Sequence, residues 1–344
     1  MTAATQLRER AVQIAEELLW PAAAQVDGAE QVPAAHLDAL AAAGLYGLAG
    51  PDAPADPDLA GFVLETFAGA CLATAFVWMQ HHGAVRAAAS GSDALRNRWL
   101  VPLCRGEVRA GVGFAGLRPG RDRMRVRRVD GGWLLDGEIP WVTGWDQIDL
   151  VYLGACDEQD VIHRFFVDAV ASPSLVAQVQ RLTSVQASRT ATLSFREHFV
   201  GDDRLVDAQP LAEWTAAEAS GSAMNGFLAV GVAARCARLL REFGAPAGSA
   251  DALDAEVTRA RARLQAAAGG GEPVPQVRAA VSALASRAAA RLTVQVGSRA
   301  ALAGNPADRL TREAAFLLVF GSRPAIKNAL VEALDRAGAE PASC

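Results

Sequence analysis

The chain has 344 residues, of which 51% are hydrophobic, and a formal net charge of −5. This length allows two or three packed units, and the mild negative charge gives no reason to expect a nucleic acid as partner. The first residues lack a signal-peptide pattern and the chain has no apolar run of about eighteen residues, so we expect a cytoplasmic protein that does not enter a membrane.

The cysteines are scattered and include no CxxC pair or ligand-like spacing to histidine. We therefore expect neither a metal site nor a disulfide framework. The five cysteines are Cys71, Cys104, Cys156, Cys236 and Cys344.

The N-terminal third has the apolar spacing of helices. One helix is predicted over 5–19 and is broken or restarted at Pro21. Pro33 is predicted at the first position of the next helix, which Gly44 closes. Two further helices are predicted over 59–80 and 84–103.

Strand patterns occupy the middle of the chain. They begin at Ala110 and continue over 124–129, 132–136, 149–155, 162–167 and 187–199. The last run alternates apolar and polar residues, which is typical of a strand covered on one side, and the short loops with Gly and Asp favour a compact antiparallel barrel or sandwich. From Leu211 the pattern is helical again, with breaks at 244–248 and 269–275.

The segment 136–144, Asp-Gly-Glu-Ile-Pro-Trp-Val-Thr-Gly, is the most informative stretch of the sequence. Trp141 and Thr143 lie two residues apart, so strand alternation places both on one side. A flat aromatic face and a hydroxyl suit the isoalloxazine ring of a flavin. The alternative is a core Trp beside an edge Thr.

Four segments in order resemble the acyl-CoA dehydrogenase family. They are 32–45, 91–107, 136–144 followed by Asp149, and 305–314, and the resemblance spans about residue 10 to residue 335. It implies a mainly α fold with a β insert. The expected division is an N-terminal helical domain (1–108), a central antiparallel β barrel or sandwich (109–207) and a C-terminal helical bundle (208–344).

The resemblance also implies a flavoprotein oxidoreductase that acts on CH–CH groups of an acyl thioester or a related small substrate. FAD is the implied cofactor, with FMN or no flavin as alternatives. A homodimer or homotetramer is expected, with an electron-transfer flavoprotein or a flavin reductase as redox partner.

The resemblance assigns flavin contacts to three regions. Backbone groups near the first strand and the segment 136–144 would contact the flavin ring. A degenerate Arg-x-x-Phe-Gly turn, whose arginine is shifted by one residue, would reach the FAD pyrophosphate from a neighbouring subunit, and a later glutamine would lie near the adenosine. The implied cofactor residues are Phe114, Ala115, Leu117, Trp141, Thr143, Gly144, Arg241, Phe243, Gly244 and Gln295.

The catalytic base that the family uses is missing. Ungapped alignment from the segment 305–314 puts Gly321 at the position of the usual glutamate, and the alternative position of some members falls near Gly221. Glu218 is the nearest acid and the one candidate base, or else a solvated helix carboxylate. The catalytic residue is therefore left unidentified.

Arginines provide the candidate substrate contacts. Arg118 stands where the family has an acidic residue, which puts a positive charge near the pocket mouth or in a solvated loop. Arg121, Arg123, Arg125 and Arg127 have period two, as on one face of a strand. They would form either a solvated face or a clamp for the phosphates of CoA, for which Arg118, Arg123 and Arg125 are the candidates.

A histidine pair, His81 and His82, is expected in the core or at an interface.

Three functions stay open for the whole chain. The first is an acyl-CoA dehydrogenase-like oxidoreductase. The second is a flavin monooxygenase on the same fold, which needs no α-proton base. The third is a non-catalytic paralogue that binds an acyl or CoA ligand.

Overall fold

The computed structural model describes residues 1–118, 123–219 and 221–338. Its first part is helical. The helices are α1 (Ala3–Ile14), α2 (Trp20–Asp27), α3 (Ala34–Ala42), α4 (Leu59–Ala70), α5 (Leu72–Ser90), α6 (Asp93–Leu95) and α7 (Val101–Arg105), with π-helical turns at Ala15–Leu19 and Arg96–Leu100.

The helix restarts at Pro21 as predicted, because Pro21 lies in the first turn of α2, where the missing N–H removes no helical hydrogen bond. Another predicted helix boundary is wrong. The helix predicted over 59–80 ends at Cys71, whose backbone is extended (φ −149°, ψ 102°). Nearby, a Cβ added at Gly69 would lie 2.8 Å from the carbonyl oxygen of Gly231, so a close crossing with a C-terminal helix overrides the local pattern.

The middle of the chain forms one sheet. Its strands are β1 (Ala110–Gly113), β2 (Arg125–Val129), β3 (Gly132–Val142), β4 (Leu150–Cys156), β5 (Val161–Asp168), β6 (Leu175–Val179), β7 (Ala191–Gly201) and β8 (Leu205–Pro210). The order is β6-β7-β3-β2-β4-β5-β8, and β1 pairs with β4. The sequence patterns missed β6 and β8, which are short and lack a clear alternation.

The sheet is mixed, whereas an antiparallel one was expected. Most neighbours are antiparallel, but β1 runs parallel to β4, as does the single bridging pair between β2 and β4. The reason is the chain path: the β2–β3 hairpin lies between β1 and β4 in sequence, so β1 reaches β4 through a crossover.

The last part of the chain is helical, and the predicted breaks between its first three long helices are confirmed. The helices are α8 (Leu211–Ala219), α9 (Gly226–Glu242), α10 (Ala247–Ala268), α11 (Val274–Val296), α12 (Pro306–Val319) and α13 (Pro324–Gly338). The two helical parts share one hydrophobic core, while the inner face of the sheet has its own. The domain boundaries at 108 and 207 stay predictions.

Candidate active site

A cavity of about 1330 Å³ lies where the two helical parts and the sheet meet. Helix α5 forms one wall and repeats cavity-lining residues at helical spacing, among them Phe76, Met79, Gly83 and Ala87. The opposite walls come from the ends of β1 and β3, from the loop after α8 and from the end of α12. Such a volume is larger than the roughly 300–1,000 Å³ of most small-molecule sites.

Trp141 and Thr143 both line this cavity, but strand alternation is not the reason. The β3–β7 register shifts between Ile139 and Val142, and Trp141 has a left-handed backbone with φ of 65°. This bulge turns the indole outward, so that Trp141 is 55% exposed while Thr143 is 2% exposed. The cavity thus has an uncovered aromatic face beside a hydroxyl, at a strained backbone position.

A row of hydroxyl groups continues from Thr143 into the turn that precedes β7. Its Oγ1 lies 3.3 Å from Oγ1 of Thr190, which lies 2.9 Å from Oγ of Ser188. Ser184 also lines the cavity, and its buried Oγ has no hydrogen-bond partner among the described residues. A buried hydroxyl without a partner is uncommon, and a ligand would satisfy it.

An aromatic cluster lines the same cavity. The ring of Phe76 lies 5.2 Å from that of Phe316 and 4.8 Å from that of Phe320, both edge to face. Phe316 and Phe320 themselves are stacked at 5.6 Å. None of these residues was predicted as a site residue, because an apolar residue on a helix gives the same signal in a core as in a pocket.

The other expected flavin residues fall into two groups. Phe114 and Ala115 line the cavity, and Leu117 is buried directly behind them. Arg241 bonds Asp251 at 2.8 Å and also pairs with Asp254. Gln295 donates to the carbonyl of Phe243 at 3.0 Å.

Neither Gly144 nor Gly244 lines the cavity, although both have the positive φ that favours glycine. Arg241, Phe243 and Gln295 are likewise absent from its walls. The structure therefore brings together most of the residues expected at the flavin ring, whereas Arg241, Phe243 and Gln295 make their contacts away from this cavity.

The two positions at which the family carries its base are occupied by glycines in left-handed conformations. Gly321 lines the cavity with φ of 60°, and Gly221 has φ of 71°. A Cβ at Gly321 would lie 2.8 Å from Nδ2 of Asn225, so the present neighbours leave no room for a side chain there. Glu218 is the one carboxylate near these glycines that lines the cavity.

Glu218 is held between two arginines. Its Oε2 accepts from Nη2 of Arg323 at 2.6 Å and lies 3.4 Å from Nη2 of Arg118. Burial and the nearby Arg323 lower the pKa of Arg118, while Glu218 acts in the opposite direction. Both guanidiniums therefore contact the same carboxylate oxygen of Glu218. The sequence could not have identified Arg323, which follows a turn that has no motif.

Arg278, from α11, lies beneath the same loops and is 2% exposed. It donates from Nη1 to the carbonyl of Ser222 at 2.8 Å and from Nη2 to that of Phe320 at 3.2 Å. Burial, with a smaller effect of Arg323, lowers the pKa of Arg278 to about 10. It thus ties together the two segments that carry Gly221 and Gly321.

The arginine row lies elsewhere. Arg123 bonds Asp160 at 3.1 Å and Arg127 bonds Glu197 at 2.6 Å, while Arg125 is exposed on β2. None of these three lines the cavity, and Arg121 falls outside the described residues. Arg118 is thus the one described CoA candidate on the cavity wall.

The histidine pair is buried. His81 is fixed between the carbonyl of Leu103 (3.0 Å) and the N–H of Ala110 (3.1 Å), and burial lowers its pKa to about 4. His82 lines the cavity with its ring edge to face with Trp78, and both its ring nitrogens are buried without a partner among the described residues. Burial holds the pKa of His82 well below 6.5.

Within the described residues, no group of three or more His, Cys, Asp or Glu side chains is arranged to hold a metal ion. None of the described helices is long and apolar enough to cross a membrane.

Comparison with known proteins adds to this geometry. Residues 2–107 match the family model for the acyl-CoA dehydrogenase N-terminal domain. The mitochondrial short-chain specific acyl-CoA dehydrogenase of Bos taurus is 24% identical over 217 residues, which cover 58% of this chain and 52% of the bovine protein. The aligned part thus spans about half the length of that curated relative. The N-terminal part of the chain thus matches the acyl-CoA dehydrogenase family model, and the chain is similar in sequence to a member of that family.

Solved structures extend the likeness in fold to the whole chain. Butyryl-CoA dehydrogenase from Megasphaera elsdenii superposes with a TM-score of 0.82 at 15% identity, covering 98% of both chains. A glutaryl-CoA dehydrogenase from Mycobacterium smegmatis in complex with FADH2 gives 0.79 at 16% identity, covering 100% of this chain and 96% of that one. The expected acyl-CoA dehydrogenase fold is therefore confirmed.

Proposed function

We propose that this chain is a flavin-dependent oxidoreductase of the acyl-CoA dehydrogenase family that acts on an acyl thioester or a related small substrate. The observation that carries the proposal is the uncovered face of Trp141 beside the hydroxyl of Thr143, on the wall of a cavity of about 1330 Å³. In a folded chain an exposed indole at a strained position needs an explanation, and a flat ring stacked on it supplies one.

The residues present fit the ring of a flavin. Trp141 would cover one face, and the hydroxyls of Thr143 and Ser184 would donate to its polar edge. Phe316 and Phe320 would exclude water from the reacting side. The relative that was solved with FADH2 supports FAD as the cofactor. A bound flavin would supply the two-electron chemistry of the reaction.

The distal half of FAD has less support from this chain. Arg241 and Gln295, expected near the pyrophosphate and adenosine, are occupied by Asp251, Asp254 and the carbonyl of Phe243. FMN therefore stays an alternative, since it would need the ring wall but no adenosine contacts.

A flavin monooxygenase is the second candidate function, and the pairing of Glu218 favours it. Removal of an α-proton needs a basic carboxylate near the substrate carbon. Here the nearby acid is held by Arg118 and Arg323, and both family positions are glycines. Oxygen chemistry needs a dry cavity and no such base.

The test is an absorbance spectrum of the purified protein, flavin identification after heat release and anaerobic titration with acyl-CoAs. Flavin bands near 370 and 450 nm, about the usual positions, with bleaching by a thioester would support the dehydrogenase-type reaction. Bleaching by a flavin reductase alone would favour the monooxygenase. A colourless protein that refuses added FAD and FMN would overturn the proposal and leave a non-catalytic acyl-binding paralogue.

A further inference from the structure

The cavity wall around Gly321 carries an excess of positive charge. Arg118, Arg278 and Arg323 face or underlie this part of the wall, and Glu218 is the acid that pairs with Arg118 and Arg323. Three guanidiniums against one carboxylate leave a formal charge of +2, and Arg278 and Arg323 are largely buried while Arg118 is 36% exposed. Such an excess is costly unless an anion answers it.

Hydrogen-bond donors also outnumber acceptors here. Glu218 receives both arginines on one oxygen, Oε2. Nε of Arg278 and Nε of Arg323 are buried without a partner among the described residues. Arg278 is 2% exposed, and the side chain of Arg323 is 11% exposed. These unpaired donors are an observation separate from the charge count.

We propose that this cluster, Arg118, Arg323 and the underlying Arg278, binds a carboxylate on the acyl part of the substrate. Arg118 and Arg323 would receive it by exchanging Glu218 for the incoming group, since guanidinium forks match carboxylate oxygens. Gly321 lines the same wall and contributes no side chain of its own. The family resemblance implies a carboxylate on the protein. In the proposed site the protein would instead contribute the arginines, and the substrate would contribute the carboxylate.

The residues around the cluster favour a carboxylate on a carbon chain over a phosphate of CoA as the bound anion. Trp214, Met224 and Phe320 line the same part of the cavity, so the group attached to the anion would lie among apolar side chains. A carboxylate loses less hydration than a doubly charged phosphate when it enters such a place. The proposal uses the proposed function only to name the substrate as an acyl compound.

Binding of two matched thioesters to the full-length protein, measured by isothermal titration calorimetry, tests the proposal. Succinyl- and butyryl-N-acetylcysteamine differ by a carboxylate in place of a methyl group, and neither carries a phosphate. At low ionic strength we expect the succinyl probe to bind at least about ten-fold more tightly, the effect of one or two charged hydrogen bonds. Equal affinities would overturn the proposal.

Substitutions in the cluster test whether binding of the succinyl probe changes in the expected direction. Arg323→Gln should abolish the preference for the succinyl probe, and Arg118→Gln should weaken it if the first variant fails to fold. Glu218→Gln should strengthen succinyl binding several-fold, because it removes the competing carboxylate. Weaker binding by Glu218→Gln would contradict the exchange. Arg86→Gln, which changes another arginine on the wall of the same cavity, is the matched control and should alter nothing.

Free CoA separates the two sources of an anion. If CoA binds and Arg323→Gln weakens it while the two probes bind alike, the arginines hold a carrier phosphate and the carboxylate proposal is wrong. The flavin spectrum is recorded on the same samples. A colourless protein that still prefers the succinyl probe would overturn the proposed function and leave the carboxylate site standing.

Discussion

The two ends of the cavity differ in how far they keep what the family resemblance implies. At the ring end, Trp141 and Thr143 stand where the resemblance places them, and Ser184 adds an unpaired hydroxyl. At the other end, Gly321 and Gly221 stand where the resemblance places the base, and Arg118 stands where it places an acidic residue. The contrast suggests that the cofactor half and the substrate half of such a site change independently, because each has its own supporting residues.

Loss of the ring wall is the change with the largest expected effect. Trp141→Ala with Thr143→Ala should abolish flavin retention and leave a folded, helical protein, because the wall lies on the surface of the cavity and not in the core of the sheet. Flavin absorbance per protein and circular dichroism measure the two parts of this expectation.

Phe199→Ala removes another exposed aromatic of the same sheet, 55% exposed and away from the cavity, and should leave flavin retention unchanged. An unaltered flavin content in the double variant would sink the proposed ring site and with it the contrast between the two ends.

The end of the cavity near Gly221 and Gly321 depends on Arg278 for its stability. Arg278→Met should lower the free energy of unfolding by about 2–4 kcal/mol, because the carbonyls of Ser222 and Phe320 would lose charged donors. Denaturant unfolding measures the loss. Arg287→Met on the same helix removes an exposed arginine paired with Glu256 and should cost less than about 1 kcal/mol. Equal effects of the two variants would contradict the bridging role.

His82 borders the cavity between the two ends and gives a dependence on pH. In the folded protein it stays neutral, because burial holds its pKa well below 6.5, whereas in the unfolded chain it takes up a proton as the pH falls through 6.5. Folding stability should therefore fall as the pH drops from about 6.5 towards 5, by up to about 1.4 kcal/mol per pH unit for this group.

His82→Phe should flatten that slope, since a phenyl ring takes up no proton. The buried His81, whose pKa is lowered to about 4, contributes a similar slope that stays in both proteins. Urea unfolding at several pH values measures the difference. Above about pH 7.5 neither protein should gain or lose stability through these histidines, which provides an internal control, and identical slopes below pH 6.5 would refute the assignment.

Local sequence patterns predicted the helices and most strands, because apolar periodicity and Gly and Pro positions encode them directly. They failed where tertiary contacts decide. The break at Cys71 lies beside a crossing of α4 with α9, and the parallel β1–β4 pair depends on the chain path. The ring wall was found from Trp141 and Thr143, although the bulge that orients them leaves no signal in the sequence.

The part of the cavity near Gly221 and Gly321 could be recognised from the sequence only because it departs from the pattern that the family resemblance implies. Gly321 and Gly221 showed that the base was missing, but nothing local indicated what had taken its place. Arg278 lies more than forty residues from either loop that it joins, and Arg323 meets Glu218 only in the folded chain. Long-range pairing of charges has no local signature, so the arginine cluster emerged from the structure alone.

The arginine row on β2 should have the smallest effect of the changes considered. Arg123→Ser with Arg125→Ser is predicted to weaken a CoA-type ligand about two- to five-fold at low salt, because exposed charges contribute little and Arg123 is already paired with Asp160. Added salt should remove the difference. Arg127→Ser, which removes an arginine of the same row paired with Glu197, is the matched control. Unchanged CoA affinity in the double variant would leave the row a solvated face, and the recognition of anions by this chain would then lie within the cavity.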